Sequence, residues 1–251
     1  MWSCLEDLGL QGRLVGFLRA AYTELKCVVK VGEEYSDPFS VQNGLRQGCI
    51  LSPLLFSLYI NSLIDEMKKA RVGVVCKDQR IPALLYADDM VLLAEDEEML
   101  RKELKILGEW CVKWAIKVNV GKCGIVHFRK RRVKRCEEEF RVNGEVIGIL
   151  TEYKYLGCVI SEHLDGKRML EERAKAGAKA LSAWLKRCRA TVGLVKGESF
   201  TKLLGALVES VLLYGAEVWG CGRHATLVEQ IQLRAARIFL GVSRLHPKAA
   251  L

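Results

Sequence analysis

Apolar and polar positions alternate with two different periods along the chain, and the pattern changes near residue 165. Before that point, helical and strand-like stretches are mixed. From Asp165 onward, apolar positions recur at helical spacing in three stretches, "KRMLEERAKAGAKALSAWLKRCRA", "SFTKLLGALVESVLLYGAEVW" and "TLVEQIQLRAARIFLGV". The pattern predicts an α+β fold with a mixed portion over residues 1–165 and a helical portion over residues 166–251.

The mixed portion begins with a predicted helix, "GRLVGFLRAAYTELK", a short strand, "CVVKV", and a turn at residues 32–34. A glycine-punctuated loop then leads into a second helix, "SPLLFSLYINSLIDEMKKA". Here Ser52 is a suitable N-cap and Pro53 is a favoured first helical residue. Apolar residues occupy most of the circumference through Ile64, so we expect the first turns of this helix to be buried on all sides.

Further along, two apolar runs flank Asp88 and Asp89 in "IPALLYADDMVLLAEDEE", a pattern typical of a hairpin. The next stretch, "DEEMLRKELKILGEWCVKWAIKV", has apolar residues at helical spacing, and we expect its charged side to face water. "KVNVGKCGIVHF" alternates like a strand, and Asn143-Gly144 is a turn signal between two more strands. The mixed portion is therefore predicted to alternate hairpins with helices.

The amino-acid composition indicates what kind of partner the protein binds. The chain has 251 residues, of which 50% are hydrophobic and 27% charged, as in a globular protein. Its net charge of +9 favours a polyanionic partner, either nucleic acid or an anionic membrane surface. A basic protein without such a partner is the alternative.

Cysteine usage and the apolar segments indicate the compartment. The ten cysteines are spread singly, without a Cys-x-x-Cys pair, which argues against a zinc site and a secreted disulfide framework. The start, "MWSCLEDLGLQGR", does not resemble a signal peptide. The stretch "LLGALVESVLLYGAEVWG" carries two glutamates and is too short to span a membrane comfortably. We expect a nuclear or cytoplasmic protein that is not secreted and does not use a membrane.

The adjacent carboxylates of Asp88 and Asp89 are the strongest candidate for chemistry. A two-residue turn prefers Asn-Gly or Asp-Gly, and this pair lacks the glycine. Two neighbouring negative charges also repel each other unless a cation neutralises them. Carboxylate oxygens suit Mg²⁺, which combines one or two of them with waters and substrate phosphates. From these residues alone, a metal site and a solvated turn are both possible.

Two groups of basic residues are candidates for binding phosphates. The first is the run that comprises Arg129, Lys130, Arg131, Arg132, Lys134 and Arg135, for which a solvated loop paired with residues 137–139 is the alternative. The second recurs at intervals of three, four or seven in the helix after Asp165 and comprises Arg168, Lys175, Lys179 and Lys186. An ordinary exposed helix face is the alternative for the second group.

Four stretches taken in order, "GLRQGCILSPLLF", "LLYADDMVLLA", "VNVGKCGIVHF" and "YKYLGCVIS", resemble successive motifs of reverse transcriptases of the non-LTR retrotransposon type. The resemblance covers most of residues 1–165. Downstream, "SVLLYGAEVWG" and "IQLRAARIFLG" resemble the helical stretch that follows in these proteins. The resemblance implies an antiparallel palm sheet with packed helices over 1–165 and a helical thumb-like region over 166–251.

The resemblance also implies catalytic roles. Asp88 and Asp89 would hold Mg²⁺ at the tip of the palm hairpin, as catalytic residues and metal ligands. Tyr86, just before them, would bind the nucleotide or the template. Lys122 matches a lysine near the triphosphate, where a cation stabilises developing negative charge. The partners implied are an RNA template, a DNA primer and deoxynucleoside triphosphates.

Two further segments receive binding roles from the same resemblance. One segment, beside the incoming nucleotide and the template, contains Gly44, Gln47 and Gly48. The other corresponds to the strand that grips the primer and contains Tyr155, Leu156 and Gly157. Glycines allow a backbone to approach a nucleotide closely, although a flexible loop that enters a helix needs them as well.

One part of the family pattern has no match. The family supplies a third carboxylate from a strand well before the Gly-Gln-Gly loop, and the acids that precede Gly44 are in a different setting. They are Glu6, Asp7, Glu24, Glu33, Glu34 and Asp37. We expect the missing aspartate to fall before Met1, so that the chain is a palm and thumb fragment, inactive alone. The alternative is a noncatalytic nucleic-acid-binding protein derived from a retrotransposon.

Overall fold

The computed structural model describes residues 2–23, 26–41, 44–46, 48–188, 197–220 and 226–242. These residues form helices and small sheets, mostly antiparallel hairpins, which confirms the predicted α+β class. The chain divides into two compact units, the first of Met1–Val120 with Phe140–Val146, and the second of Gly121–Glu139 with Ile147–Leu251. The predicted palm and thumb regions, divided at residue 165, stay a prediction.

The elements are numbered in chain order. The helices are α1 (Trp2–Asp7), α2 (Arg13–Tyr22), α3 (Ser52–Lys69), α4 (Glu97–Lys113), α5 (Lys167–Cys188), α6 (Gly197–Leu204), α7 (Ser210–Leu212), α8 (Ala216–Trp219) and α9 (Thr226–Leu240). A 3₁₀ turn spans Val120–Lys122, and a π-helical segment, Gly205–Glu209, joins α6 to α7.

The strands are short and are numbered in the same way. They are β1 (Lys26–Cys27), β2 (Lys30–Val31), β3 (Glu34–Tyr35), β4 (Phe39–Ser40), β5 (Val74–Cys76), β6 (Gln79–Ile81), β7 (Ala83–Tyr86), β8 (Asp89–Leu92), β9 (Ile125–Val126), β10 (Phe140–Val142), β11 (Glu145–Ile147), β12 (Ile149–Leu150), β13 (Glu152–Tyr155) and β14 (Cys158–Ser161).

The start of α3 differs from the prediction. Ser52 is the first helical residue rather than the N-cap, and Leu51 occupies the cap position without a side-chain hydrogen bond. The Ser52 hydroxyl instead donates to the backbone oxygen of Arg46 at 2.7 Å and lies 3.0 Å from the Tyr22 hydroxyl. The hydroxyl therefore links the start of α3 to the loop that precedes it.

The burial of α3 also differs from the prediction. Its buried side chains, Leu55, Ile60, Leu63 and Met67, lie at helical spacing on one face, while Leu54 in the first turn is 58% exposed. The expected burial on all sides is therefore wrong. The helix packs against α1 and α4 on one side, and this contact covers only that face.

Helix α4 forms as its pattern predicts. Asp96 caps its first turn, because the side chain accepts a hydrogen bond of 2.7 Å from the backbone nitrogen of Met99. Trp110 is buried, and its indole nitrogen donates to the Ser62 hydroxyl at 2.8 Å. One charged residue contradicts the prediction that the charged side faces water. Glu103 is fully buried, and burial raises the pKa of its carboxyl to about 8.

The second unit is built around α5. One apolar cluster joins Met169 and Leu170 of α5 to Leu212, Trp219 and Val228. A second cluster, farther along α5, consists of Leu181, Trp184, Val208 and Ala235. The three predicted helical stretches are confirmed, although the middle one is divided by the π-helical segment and by a turn before α8. No helix among the described residues is long and apolar enough to cross a membrane.

Candidate functional site

The two adjacent aspartates lie at the tip of the β7–β8 hairpin, in the first unit. Strand pairing runs from Ala83 with Leu92 to Tyr86 with Asp89, so Ala87 and Asp88 are the two turn residues. Asp89 is the first residue of β8. The predicted hairpin is therefore confirmed, with the turn one residue earlier than an Asp-Asp tip would place it.

The backbone at this tip is strained. Ala87 has a φ of 52°, in the left-handed region where a Cβ atom crowds the following carbonyl oxygen. This conformation costs about 1 kcal/mol for a residue other than glycine. Strain of this kind is common where a turn serves a function.

Both carboxylates at the tip are open to solvent. Neither side chain forms a hydrogen bond or an ion pair with any part of the chain that the structure describes. Tyr86, beside them, is 65% exposed. The oxygen ligands are therefore free for a hard cation, and their chemistry fits one Mg²⁺ ion completed by water and phosphate oxygens. No group of three or more potential metal-ligating residues occurs among the described residues.

A neighbouring hairpin has the same turn without the second carboxylate. Cys76 pairs with Gln79 across a turn of Lys77 and Asp78, and the φ of Lys77 is 53°. Asp78 thus occupies the same place in its turn as Asp88 does in the next hairpin. The β5–β6 hairpin is a natural control, since it differs in lacking an aspartate at the first position of the second strand.

The segment that precedes α3 contains the predicted nucleotide and template residues. Gly44 and Gly48 have φ values of 106° and 80°, and a Cβ on either would meet no atom within 4 Å. Gln47 lies outside the described residues. Next to Gly48, a hydrogen bond from the Tyr22 hydroxyl lowers the pKa of the Cys49 thiol, together with backbone and Ser52 hydrogen bonds.

Lys122 belongs to the second unit and lies at the end of the 3₁₀ turn. It is exposed, and its backbone oxygen accepts a hydrogen bond of 2.6 Å from the Tyr153 hydroxyl. The sequence interpretation missed this positioning role of Tyr153.

The predicted primer-grip residues lie at the tip of the β13–β14 hairpin. Leu156 and Gly157 form its two-residue turn, with φ values of 47° and 79°, and Tyr155 pairs with Cys158. Two side chains hold this tip from outside the hairpin. The Tyr214 hydroxyl donates to the oxygen of Leu156, and the Arg173 guanidinium donates to that of Gly157, both at 2.8 Å.

These two side chains also contact each other. The Arg173 guanidinium lies 5.3 Å from the centre of the Tyr214 ring, over its face. Neither residue was identified from sequence, although Tyr214 lies in the downstream stretch that carries the family resemblance. The arrangement means that α5 and the segment after α7 together fix the hairpin tip.

The predicted phosphate-binding residues fall into two groups in the structure. The first group is ion-paired with acids: Arg129 and Arg135 with Glu162, Arg131 with Asp165, Arg168 with Glu152 and Glu171, and Lys175 with Glu172. The second group has no ion pair or side-chain hydrogen bond with described residues: Lys130, Arg132, Lys134, Lys179 and Lys186. Glu162 and Asp165 were missed because they lie about thirty residues from their partners, beyond any local charge pattern.

A hydrogen bond shifts the pKa values of Arg168 on α5 and of Glu152 on β13. The bond from Arg168 lowers the pKa of the Glu152 carboxyl against the opposing effect of burial, and the same contact raises the pKa of Arg168. Both side chains are partly exposed, so the pair adds little to stability. It does reduce the basic face predicted for this helix.

Known proteins with similar sequences identify a family. The sequence model of the family described as reverse transcriptase (RNA-dependent DNA polymerase) matches residues 4–160. An RNA-directed DNA polymerase from mobile element jockey of Drosophila funebris is 25% identical over 211 residues, 81% of this chain and 22% of that protein.

Two relatives from other elements are also similar. A retrovirus-related Pol polyprotein from type-1 retrotransposable element R2 of Popillia japonica is 28% identical over 165 residues, 62% of this chain and 26% of that protein. A transposon TX1 uncharacterized 149 kDa protein of Xenopus laevis is 37% identical over 86 residues, 34% of this chain and 7% of that protein. The chain thus spans about a quarter or less of these relatives.

Proposed function

The chain belongs to the reverse transcriptase family of the non-LTR retrotransposon type, and on that premise we propose that it forms the palm and thumb portion of an RNA-directed DNA polymerase. The observation that carries the proposal is the exposed pair of carboxylates at a strained hairpin tip, Asp88 and Asp89, which have no hydrogen bond or ion pair with described residues. Its partners would be an RNA template, a DNA primer and deoxynucleoside triphosphates.

In this proposal Asp88 and Asp89 hold Mg²⁺, with Asp88 the principal ligand. Members of this family use a divalent metal, which supplies charge stabilisation at the attacking and leaving oxygens when it is bound. Lys122 contributes a positive charge toward the triphosphate. Gly44 and Gly48 allow the backbone to approach the nucleotide closely, and Gln47 offers it both a donor and an acceptor.

The hairpin tip at Leu156 and Gly157 serves as the primer grip. Its carbonyl oxygens are engaged by Tyr214 and Arg173, so the turn is held in one conformation before nucleic acid binds. Such preorganisation reduces the entropy lost when a primer terminus is positioned. The role proposed for the tip is to orient the primer end.

We also propose that the 251 residues alone do not polymerise. Two adjacent carboxylates suit one ion, whereas the reaction uses a pair of ions held by a further carboxylate. The described part of the chain offers no cluster of three metal-ligating residues. Without a complete ligand set, the second ion lacks a fixed position.

Primer extension tests the enzymatic proposal. The chain would be joined to the segment that precedes the matched region in a relative such as the jockey polymerase, and extension measured on an RNA template with Mg²⁺. Asp88→Ala should abolish extension, whereas Asp78→Ala, in the matching turn of β5–β6, should preserve it. Extension that survives Asp88→Ala would refute the assigned site.

A noncatalytic nucleic-acid-binding protein is the second candidate, favoured by the net charge of +9 and by the cations of the second unit that have no ion pair with described residues. In this case the chain binds a primer–template duplex, and its affinity falls steeply with salt because each neutralised phosphate releases counterions. Binding measured by fluorescence anisotropy over a range of salt concentrations tests this. A folded sample that does not bind, or binds independently of salt, would exclude it.

A further inference from the structure

The basic residues at 129–135 fall into two sets, those that bond to the buried carboxylate of Glu162 and those that face solvent. Its carboxylate accepts hydrogen bonds from Arg129 at 3.2 Å and from Arg135 at 3.0 and 3.1 Å. The Glu162 side chain is only 11% exposed, and that of Arg129 is similarly buried. These charge-assisted bonds are among the stronger contacts that polar side chains make. Arg129 is therefore held in the protein interior, and Arg135, whose side chain is 35% exposed, is held against the same carboxylate.

The backbone of the same loop is attached to the same place. The Arg129 nitrogen donates to the Glu162 backbone oxygen at 2.9 Å, and His163 Nδ1 lies 3.0 Å from the Arg129 oxygen. At the far end of the loop, the Cys136 nitrogen donates to His127 Nδ1 at 3.1 Å. The loop is thus fixed at both ends and at its two inward side chains.

The remaining cations of the loop point outward. Lys130, Arg132 and Lys134 are exposed, and their side chains have no ion pair or hydrogen bond with described residues. The Val133 backbone nitrogen donates to the Lys130 oxygen at 2.9 Å, and this hydrogen bond closes a turn that keeps the basic side chains apart. Arg131 lies between them and is 74% exposed, with a 3.4 Å contact to Asp165 that water screens.

We propose that Lys130, Arg132 and Lys134 form a contact surface for the phosphate backbone of a nucleic acid, and that Glu162 is the residue that positions it. This inference rests on the nucleic-acid binding proposed above and restricts it to particular groups. Arg129 and Arg135 hold the loop and do not touch the ligand. Fixing the loop in advance lowers the ordering cost of binding, and each contacted phosphate releases counterions.

Glu162→Gln separates this idea from general electrostatics. The change removes a negative charge, so attraction to a polyanion alone predicts tighter binding of an RNA–DNA hybrid duplex. The positioning role predicts the opposite, a dissociation constant raised about fivefold or more as the loop loses its anchor. The matched control is Glu137→Gln, an exposed acid near the same loop, which changes the charge equally and should leave binding equal or tighter.

A second set of variants does not disturb the buried ion pairs. Replacing Lys130, Arg132 and Lys134 together by alanine should reduce the slope of log affinity against log salt by roughly two to three. The control replaces three exposed lysines of the first unit, Lys68, Lys69 and Lys77, and should reduce it less. Circular dichroism of each variant reports folding, and if Glu162→Gln unfolds, the triple variants decide.

The outcomes distinguish the two levels of the proposal. If the intact chain does not bind the hybrid, nucleic-acid binding itself is refuted, and this inference with it. If the intact chain binds but folded Glu162→Gln binds as well or better, the positioning role is overturned. Equal salt slopes for the two triple variants would overturn the contact surface while leaving the proposed function intact.

Discussion

Glu103 lies in the interior of the first unit, fully buried on α4. Neither of its carboxylate oxygens has a hydrogen-bond partner among the described residues. Burial in surroundings of low polarity disfavours the charged form, so the group should be protonated in the folded protein at neutral pH. Replacing it by methionine, which has a similar length and no charge, is expected to stabilise the first unit.

The magnitude follows from the pKa, which burial raises from 4.5 to about 8. Between these values the folded state holds a proton that the unfolded state releases, so stability falls as pH rises. Each pH unit above 4.5 costs about 1.36 kcal/mol of unfolding free energy. At pH 7, about 2.5 units higher, the destabilisation by Glu103 is therefore about 3 kcal/mol. Above pH 8 the penalty levels off near 5 kcal/mol.

Urea unfolding followed by tryptophan fluorescence measures this effect, because Trp2, Trp110 and Trp114 belong to the first unit. The gain in unfolding free energy for Glu103→Met should grow by about 3 kcal/mol between pH 4.5 and pH 7. The control is Glu109→Met, an exposed position on the same helix, which should show little dependence on pH. A Glu103→Met gain that is independent of pH would refute the reasoning.

Three further predictions concern the candidate site. Ala87→Gly should raise the unfolding free energy by about 1 kcal/mol, because glycine accepts the positive φ without strain, and thermal or urea unfolding measures it. Tyr214→Phe should speed amide exchange at Leu156 and Gly157, whereas Tyr59→Phe, which loses a hydrogen bond of equal length elsewhere, should not. The isolated chain should show no template-dependent nucleotide incorporation, even with Mn²⁺, since an incomplete ligand set costs on the order of 10³-fold in rate. Incorporation that Asp88→Ala abolishes would show that another acid completes the site.

The correct predictions rest on patterns of residues that are close together in the sequence. The hairpin around Asp88 follows from two apolar runs, and helix α4 follows from apolar residues at helical spacing. The turn at Asn143-Gly144 is likewise confirmed between β10 and β11. In each case the residues that decide the structure are close together along the chain.

The predictions that were wrong or missing depend on residues that are far apart along the chain. The Ser52 hydroxyl lies 3.0 Å from that of Tyr22, thirty residues earlier, and Glu162 binds arginines about thirty residues away. The burial of Glu103 depends on how α4 packs within its unit, and a charged residue is usually exposed. Periodicity cannot reveal such contacts, because they depend on tertiary neighbours.

Metal binding at the hairpin tip tests the central claim most directly. Mn²⁺ added to the isotopically labelled chain broadens the amide signals of residues near its site, and Mn²⁺ takes the same oxygen ligands as Mg²⁺. We predict selective broadening at Ala87–Met90, lost in the Asp88→Asn, Asp89→Asn double variant, with Lys77–Gln79 unaffected. Equal broadening at both turns, or broadening that persists in the double variant, would contradict the account.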